Sequence, residues 1–226
     1  MFTREKVLDV IEKLKKMYPC FASEAHFQMM FTFEAEKLFA KQFEYYPEWP
    51  LEKEHIDLMI VDNITQERTF IEFKYKTKNS ITEKKVSYIL PPDVEVTPSN
   101  MGARPIAKYD CWKDIERLES FVEKKESING FFIFLTNDPL YWKEIKESKA
   151  YGNGFSIEEG DHECKFKEWK QRDGLEIIVG KKRISSIENL SYKDDKSFKY
   201  LGYSKMVTNN KMDLRSGEFK VLIVDI

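Results

Sequence analysis

Two spacings of apolar residues divide the chain. Val7, Ile11 and Leu14 recur three or four apart, which predicts an amphipathic helix over residues 3–17, packed on the core as an added element. A second helix is predicted from about 23 to 41, with Ser23 as N-cap and Phe27, Met30, Phe31 and Leu38 on its apolar face. Shorter runs rich in β-branched and aromatic residues follow at 49–53, 55–61 (HIDLMIV) and 69–76 (TFIEFKYK), and these read as three strands. A third helix is expected over 107–126, with Ile115, Leu118 and Val122 at helical spacing, and the continuous apolar run 130–136 (GFFIFLT) reads as a buried strand. Residues 77–105 form a long, polar, proline-bearing stretch with a possible strand at 86–90, a candidate substrate-gripping flap. Beyond Trp142 come strand-like runs at 175–179, 200–203 and 219–225, set between glycines. The expectation is one α/β domain over 1–226, with a core at about 20–140 and a β-rich C-terminal portion at about 150–226.

The polar stretch 62–68 between two strands predicts a hairpin, and a turn centred between Ile64 and Thr65 places Asp57 opposite Glu72. Side chains alternate along a strand. Glu72 and Lys74 therefore share one face with Asp57, Met59 and Val61, while Ile71, Phe73, Tyr75, Ile56, Leu58 and Ile60 share the other. With apolar residues on both faces, the sheet should be covered on both sides, and its charges gather at the end away from the turn.

Two carboxylates buried together repel unless a cation or proton offsets them. A hard divalent ion does so, and Mg2+ (or Mn2+) is satisfied by Asp57 and Glu72 with waters, a backbone carbonyl and a phosphate oxygen. Lys74 then lies where it can orient the attacking water or stabilise negative charge developing on a scissile phosphate. Acid-x-Lys recurs widely in this lysine- and glutamate-rich chain, for example at Glu83, Glu144 and Glu218. Only at Glu72 does it lie on an apolar strand with an upstream Asp at a hairpin-compatible offset. The competing reading of Asp57, Glu72 and Lys74 is a cross-strand salt bridge on a solvated face.

On the stretches 23–28 (SEAHFQ), 55–58 (HIDL), 71–76 (IEFKYK), 109–119 (YDCWKDIERLE) and 134–139 (FLTNDP), the chain resembles the PD-(D/E)XK nuclease superfamily, and within it a group of uncharacterised bacterial proteins. The resemblance implies a restriction-endonuclease-like core: a helix, a three-stranded antiparallel meander, a second helix and a fourth strand. It implies metal-binding acids at Asp57 and Glu72 and a catalytic lysine at Lys74. Many members add a glutamate from the first core helix, and Glu24 is the candidate here, with Gln28 one turn later. Glu24 reads equally well as an acid complementing the helix dipole. His55-Ile56 stands where the superfamily name has proline before the aspartate.

Other chemistry-bearing residues read as structural. His55 is expected to be a partly buried structural histidine, with proton carrier as the lesser option. Asp110 with Lys113 and Asp114 with Arg117 have the spacing of ordinary helical ion pairs. Residues 136–139 read as a connector, and Trp169, Phe198 and Tyr200 as core aromatics rather than base-stacking platforms. Three widely spaced cysteines, with no CxxC pair, argue against a zinc site or a disulfide framework.

The net charge of −2 lacks the basic excess common in nucleic-acid enzymes. Lysine-rich clusters at 74–78, 84–85 and 181–183 nonetheless offer phosphate contacts. No segment is apolar enough to span a bilayer and the N-terminus has no signal-peptide core, so a cytoplasmic protein without a membrane partner is expected. The function expected is metal-dependent hydrolysis of phosphodiester bonds, with DNA as partner and a homo-oligomer possible. The alternatives are a non-catalytic nuclease-like module that binds nucleic acid or a protein, and a structural protein whose charged strand face makes an oligomer contact.

Overall fold

The computed structural model describes residues 1–51, 54–78, 88–90, 94–96, 104–143, 155–163, 178–179, 182–183, 195–205 and 218–226. Its helices are α1 (Arg4–Met17), α2 (Glu24–Phe39) and α3 (Arg104–Glu123). Six strands form the main sheet: β1 (Phe43–Leu51), β2 (Glu54–Asp62), β3 (Arg68–Lys76), β6 (Asn129–Thr136), β11 (Tyr200–Lys205) and β12 (Glu218–Asp225). The pairs β4 (Tyr88–Leu90) with β5 (Val94–Val96), β7 (Gly160–His162) with β10 (Lys196–Phe198), and β8 (Ile178–Val179) with β9 (Lys182–Arg183) lie outside it. Of the flap expected over 77–105, only residues 77–78 and 104–105 and the strands β4 and β5 are described; the rest of it, Cys164, Trp169 and the lysines at 84, 85 and 181 fall outside the described residues.

The sheet order is β1-β2-β3-β6-β12-β11. β1, β2 and β3 form an antiparallel meander, and β3 runs parallel to β6 from Thr69↔Asn129 to Lys76↔Thr136. α3 lies in the crossover between these parallel strands, the usual way such strands are joined. β12 pairs antiparallel with β6, and β11 with β12. The C-terminal portion is therefore no separate layer on the core, since two of its strands complete the central sheet.

Each sheet face carries its own apolar cluster. On one side, Val7, Val10, Ile11 and Leu14 of α1 and Phe27 and Phe31 of α2 pack against Leu58, Ile60, Ile71, Phe73, Tyr75, Ile133 and Val221. On the other, Trp112, Ile115 and Leu118 of α3 pack against Met59, Phe70, Phe132, Phe134 and Leu222. The mixed six-stranded sheet is thus sandwiched between helices, and its central strands are apolar on both faces because both are covered. Phe198 and Tyr200 are buried in the second cluster, as expected of core aromatics.

β1 starts earlier than the sequence pattern indicates and carries Pro47 and Pro50. It is an edge strand, where a proline's missing N–H is tolerated. Among the described residues, no helix is long and apolar enough to cross a membrane.

Candidate active site

The β2–β3 hairpin sets the site. Asp62 closes its turn, accepting from Ile64 N and Thr65 N through Oδ1 at 2.9 and 3.1 Å. The ladder runs from Val61↔Arg68 to Leu58↔Ile71, so Asp57 and Glu72 are the next positions in the expected register. There the strands part. Asp57 turns its carboxylate to β3, with Oδ2 accepting from Phe73 N at 2.7 Å. Two residues on, Glu24 Oε2 accepts from Tyr75 N at 2.7 Å. Two acids thus satisfy β3 amides that a neighbouring strand would otherwise hold.

This parting corrects one expectation. Ile56 lies in the α3-side cluster with Met59, whereas Leu58 and Ile60 lie on the other face. Strict alternation, which put Ile56 with Leu58, breaks at Asp57. β1 is irregular at the same level: Pro47 pairs with Leu58 and Trp49 with Ile56, while Glu48 between them stays out of the ladder. Glu48 has φ 49°, a left-handed conformation unusual for a residue with a side chain. Its Oε1 accepts from Gln28 Nε2 at 3.0 Å, and the same Gln28 amide donates to the Asp57 carbonyl. Gln28, read only as a companion of Glu24, therefore holds the irregular backbone in place.

Glu24 is placed by local chemistry at the start of α2. Ser23 caps the helix, its Oγ accepting from His26 N at 3.0 Å. The segment before it is pinned to β3, because Tyr75 Oη accepts from Phe21 N and donates to Phe21 O. Glu24 is thus both a first-turn acid and a member of the site. His55 is exposed, which corrects the expectation of partial burial; it lies at the β1–β2 edge opposite Pro50.

Glu72 and Lys74 face α3, as alternation predicts. Glu72 is 1 % exposed, and its Oε1 lies 2.7 Å from Arg117 Nη2. Lys74 Nζ lies 2.7 Å from Asp114 Oδ2, and Asp114 Oδ1 lies 3.3 Å from Arg117 Nη2. Arg117 Nη1 reaches Glu54 Oε2 at 2.7 Å. Asp114 and Arg117 do pair within the helix, but both also turn inward onto β3. Sequence reasoning left these two and Glu48 out of the site.

The protonation chemistry follows from this crowding. Burial pushes the Asp57 carboxyl up to about 6; the Phe73 amide and Lys74 oppose that, and Asp114 and Glu24 add to it. Burial, then Asp57 and Asp114, hold Glu72 well above the usual carboxylate range against the pull of Arg117 and Lys74. Burial also raises Asp110, with Lys74 opposing it. For Lys74, burial favours the neutral amine, yet Asp114 and Glu24 outweigh it and hold the group above its ordinary value. Lys74 is consequently an ammonium at neutral pH.

Asp57 lies close enough to raise Glu72, the condition a divalent cation relieves. Among the described residues, no three His, Cys, Asp or Glu side chains form a ready-made cluster for an ion. The donor set fits a hard ion that keeps waters and takes few protein ligands: two carboxylates, with Glu72 Oε1 buried and without a hydrogen-bond partner among the described residues. At the far end of β3, Asn137 extends the parallel ladder, accepting from Lys78 N at 2.7 Å and donating to Lys78 O at 3.0 Å. That connector role is the one read for residues 136–139. Comparison with protein-family models, curated proteins and solved structures found no match.

Proposed function

We propose that this chain is a divalent-metal-dependent nuclease with a restriction-endonuclease-like core, hydrolysing phosphodiester bonds in DNA. One observation carries the reading: the strand that bears buried Glu72 also bears Lys74, and Asp57 turns into it at the point where the hairpin opens. The order α2, antiparallel β1-β2-β3, α3, then β6 parallel to β3 supports the core implied by the resemblance. A cytoplasmic setting and a role in restriction, defence or repair belong to the same proposal.

Asp57 and Glu72 would hold Mg2+ or Mn2+, which would supply Lewis-acid charge to the reacting phosphodiester. Glu24 adds negative charge beside Asp57 and fixes the Tyr75 amide. Lys74 keeps its proton, so its part is to orient the attacking water and to stabilise negative charge growing on the phosphate oxygens. Asp114 positions that ammonium. Asp57, Glu72 and Lys74 all stand on strands of the central sheet, which holds the reacting groups in place before substrate arrives.

The test is cleavage of single-stranded, double-stranded and branched DNA and of RNA, with Mg2+ or Mn2+ and with chelator. Metal-dependent cleavage of DNA is expected, reduced by roughly a hundred-fold or more in Asp57→Ala and Lys74→Ala. A non-catalytic nuclease-like module is favoured by one observation, that Arg117 already neutralises Glu72. That reading takes over if metal neither binds nor supports cleavage.

A further inference from the structure

Arg117 reaches from α3 down to the sheet and holds three acids. Its Nη2 lies 2.7 Å from Glu72 Oε1 and 3.3 Å from Asp114 Oδ1, and its Nη1 lies 2.7 Å from Glu54 Oε2. One guanidinium nitrogen therefore sits between two carboxylates, one of them fully withdrawn from water. On Glu72 it supplies the sign of charge that a small cation would bring.

The contact is built to be exchanged. Arginine and carboxylate bind most firmly as a two-pronged fork, and here a single nitrogen meets Glu72, in an ion pair without a hydrogen bond. Arg117 Nε is buried and has no hydrogen-bond partner among the described residues. The other prong rests on Glu54, whose side chain is 47 % exposed, so the guanidinium has a tethered resting place toward solvent.

We propose that Arg117 is the resident counter-cation of Glu72, displaced toward Glu54 when a divalent ion enters on Asp57 and Glu72; this rests on the metal-site reading above. A buried carboxylate without a partner strongly opposes folding, so the chain folds around Arg117 and exchanges it for the ion afterwards. Two cations held on one buried carboxylate repel each other. Their competition weakens ion binding, and removing the arginine strengthens it.

Calorimetric titration of Mn2+ into the full chain tests this, with wild type, Arg117→Met, Arg117→Lys and Glu72→Gln. Arg117→Met keeps the apolar stem and is expected to bind Mn2+ roughly ten-fold tighter, with a larger gain in melting temperature on adding the ion. Arg117→Lys is expected to fall between, because it keeps the charge without the planar fork. Unchanged or weaker Mn2+ binding in Arg117→Met overturns the exchange, which is the result a merely structural arginine gives. If wild type binds Mn2+ and Glu72→Gln does not, the metal site stands whichever way the arginine variant behaves. A wild-type chain that binds no Mn2+ overturns both the metal reading and the exchange. Should Arg117→Met fail to fold in chelator, ion-dependent recovery of its native circular dichroism supports the exchange, and no recovery in Mn2+ overturns it.

Discussion

Asp57 is drawn two ways. The Phe73 amide and Lys74 favour its charged form, while burial and the neighbouring acids oppose it more strongly and lift its pKa to about 6. The folded chain then holds more protons than the unfolded one between the ordinary aspartate range and pH 6, so without metal its stability declines as pH rises through that window. The penalty is fully present above pH 6 and absent below about pH 4, and Glu72, raised in the same direction, extends the decline upward. Asp57→Asn keeps an oxygen to accept from Phe73 N and removes the charge. In chelator at pH 7.5 it is expected to be more stable than wild type by as much as about 3 kcal/mol, and at pH 4 the two should converge; urea denaturation at the two pH values measures this. At this scale Asp57, Glu72 and Lys74 were legible because an acid, an acid and a lysine on apolar strands at hairpin-compatible positions leave few alternatives. Asp114 and Arg117 were not, since an i, i+3 pair looks the same in sequence whether its helix turns that face to solvent or to the sheet. Glu48 carried no signal, because its role depends on a backbone irregularity shared with the strand beside it.

Helix α2 shows how an element's local chemistry reaches the site. Its cap and pinned entry segment fix the first turn, and Glu24 is the first residue of that turn. Ser23→Ala removes the oxygen that accepts from His26 N and is expected to destabilise the chain by about 1 kcal/mol, read as a lower urea midpoint with an unchanged slope. The predicted element centres, α1, α2, β2, β3, α3 and β6, agree with the structure because each has a strong apolar period or a cap. β1 was shortened because prolines disguise a strand wherever its edge position is unknown. The change of face at Ile56 was invisible for a related reason, as alternation is a rule for a continuous ladder and this ladder opens.

For the whole molecule, long-range pairing was the least legible feature. β12 reads in sequence as a buried apolar run, yet nothing local says that it lies beside β6, far earlier in the chain. The parallel pairing of β3 with β6 was more accessible, since a strand, a helix and a strand in succession suggest a crossover. The layering follows from the same arrangement: α3 covers the face that carries Glu72 and Lys74, and α1 and α2 cover the other. The hairpin also separates its two ends along a rigid pair of strands, with the acids at one and Ile64, 90 % exposed, at the other. Cys20 and Cys111 are buried, so an Ile64→Cys chain that also carries Cys164→Ser offers one accessible thiol for a nitroxide spin label. At about 3.3 Å per strand residue, Mn2+ seated on Asp57 and Glu72 would lie roughly 20 Å from that label. Pulsed electron paramagnetic resonance can measure such a separation, which makes the hairpin a molecular ruler; a much shorter distance would place the ion at the wrong end of the sheet.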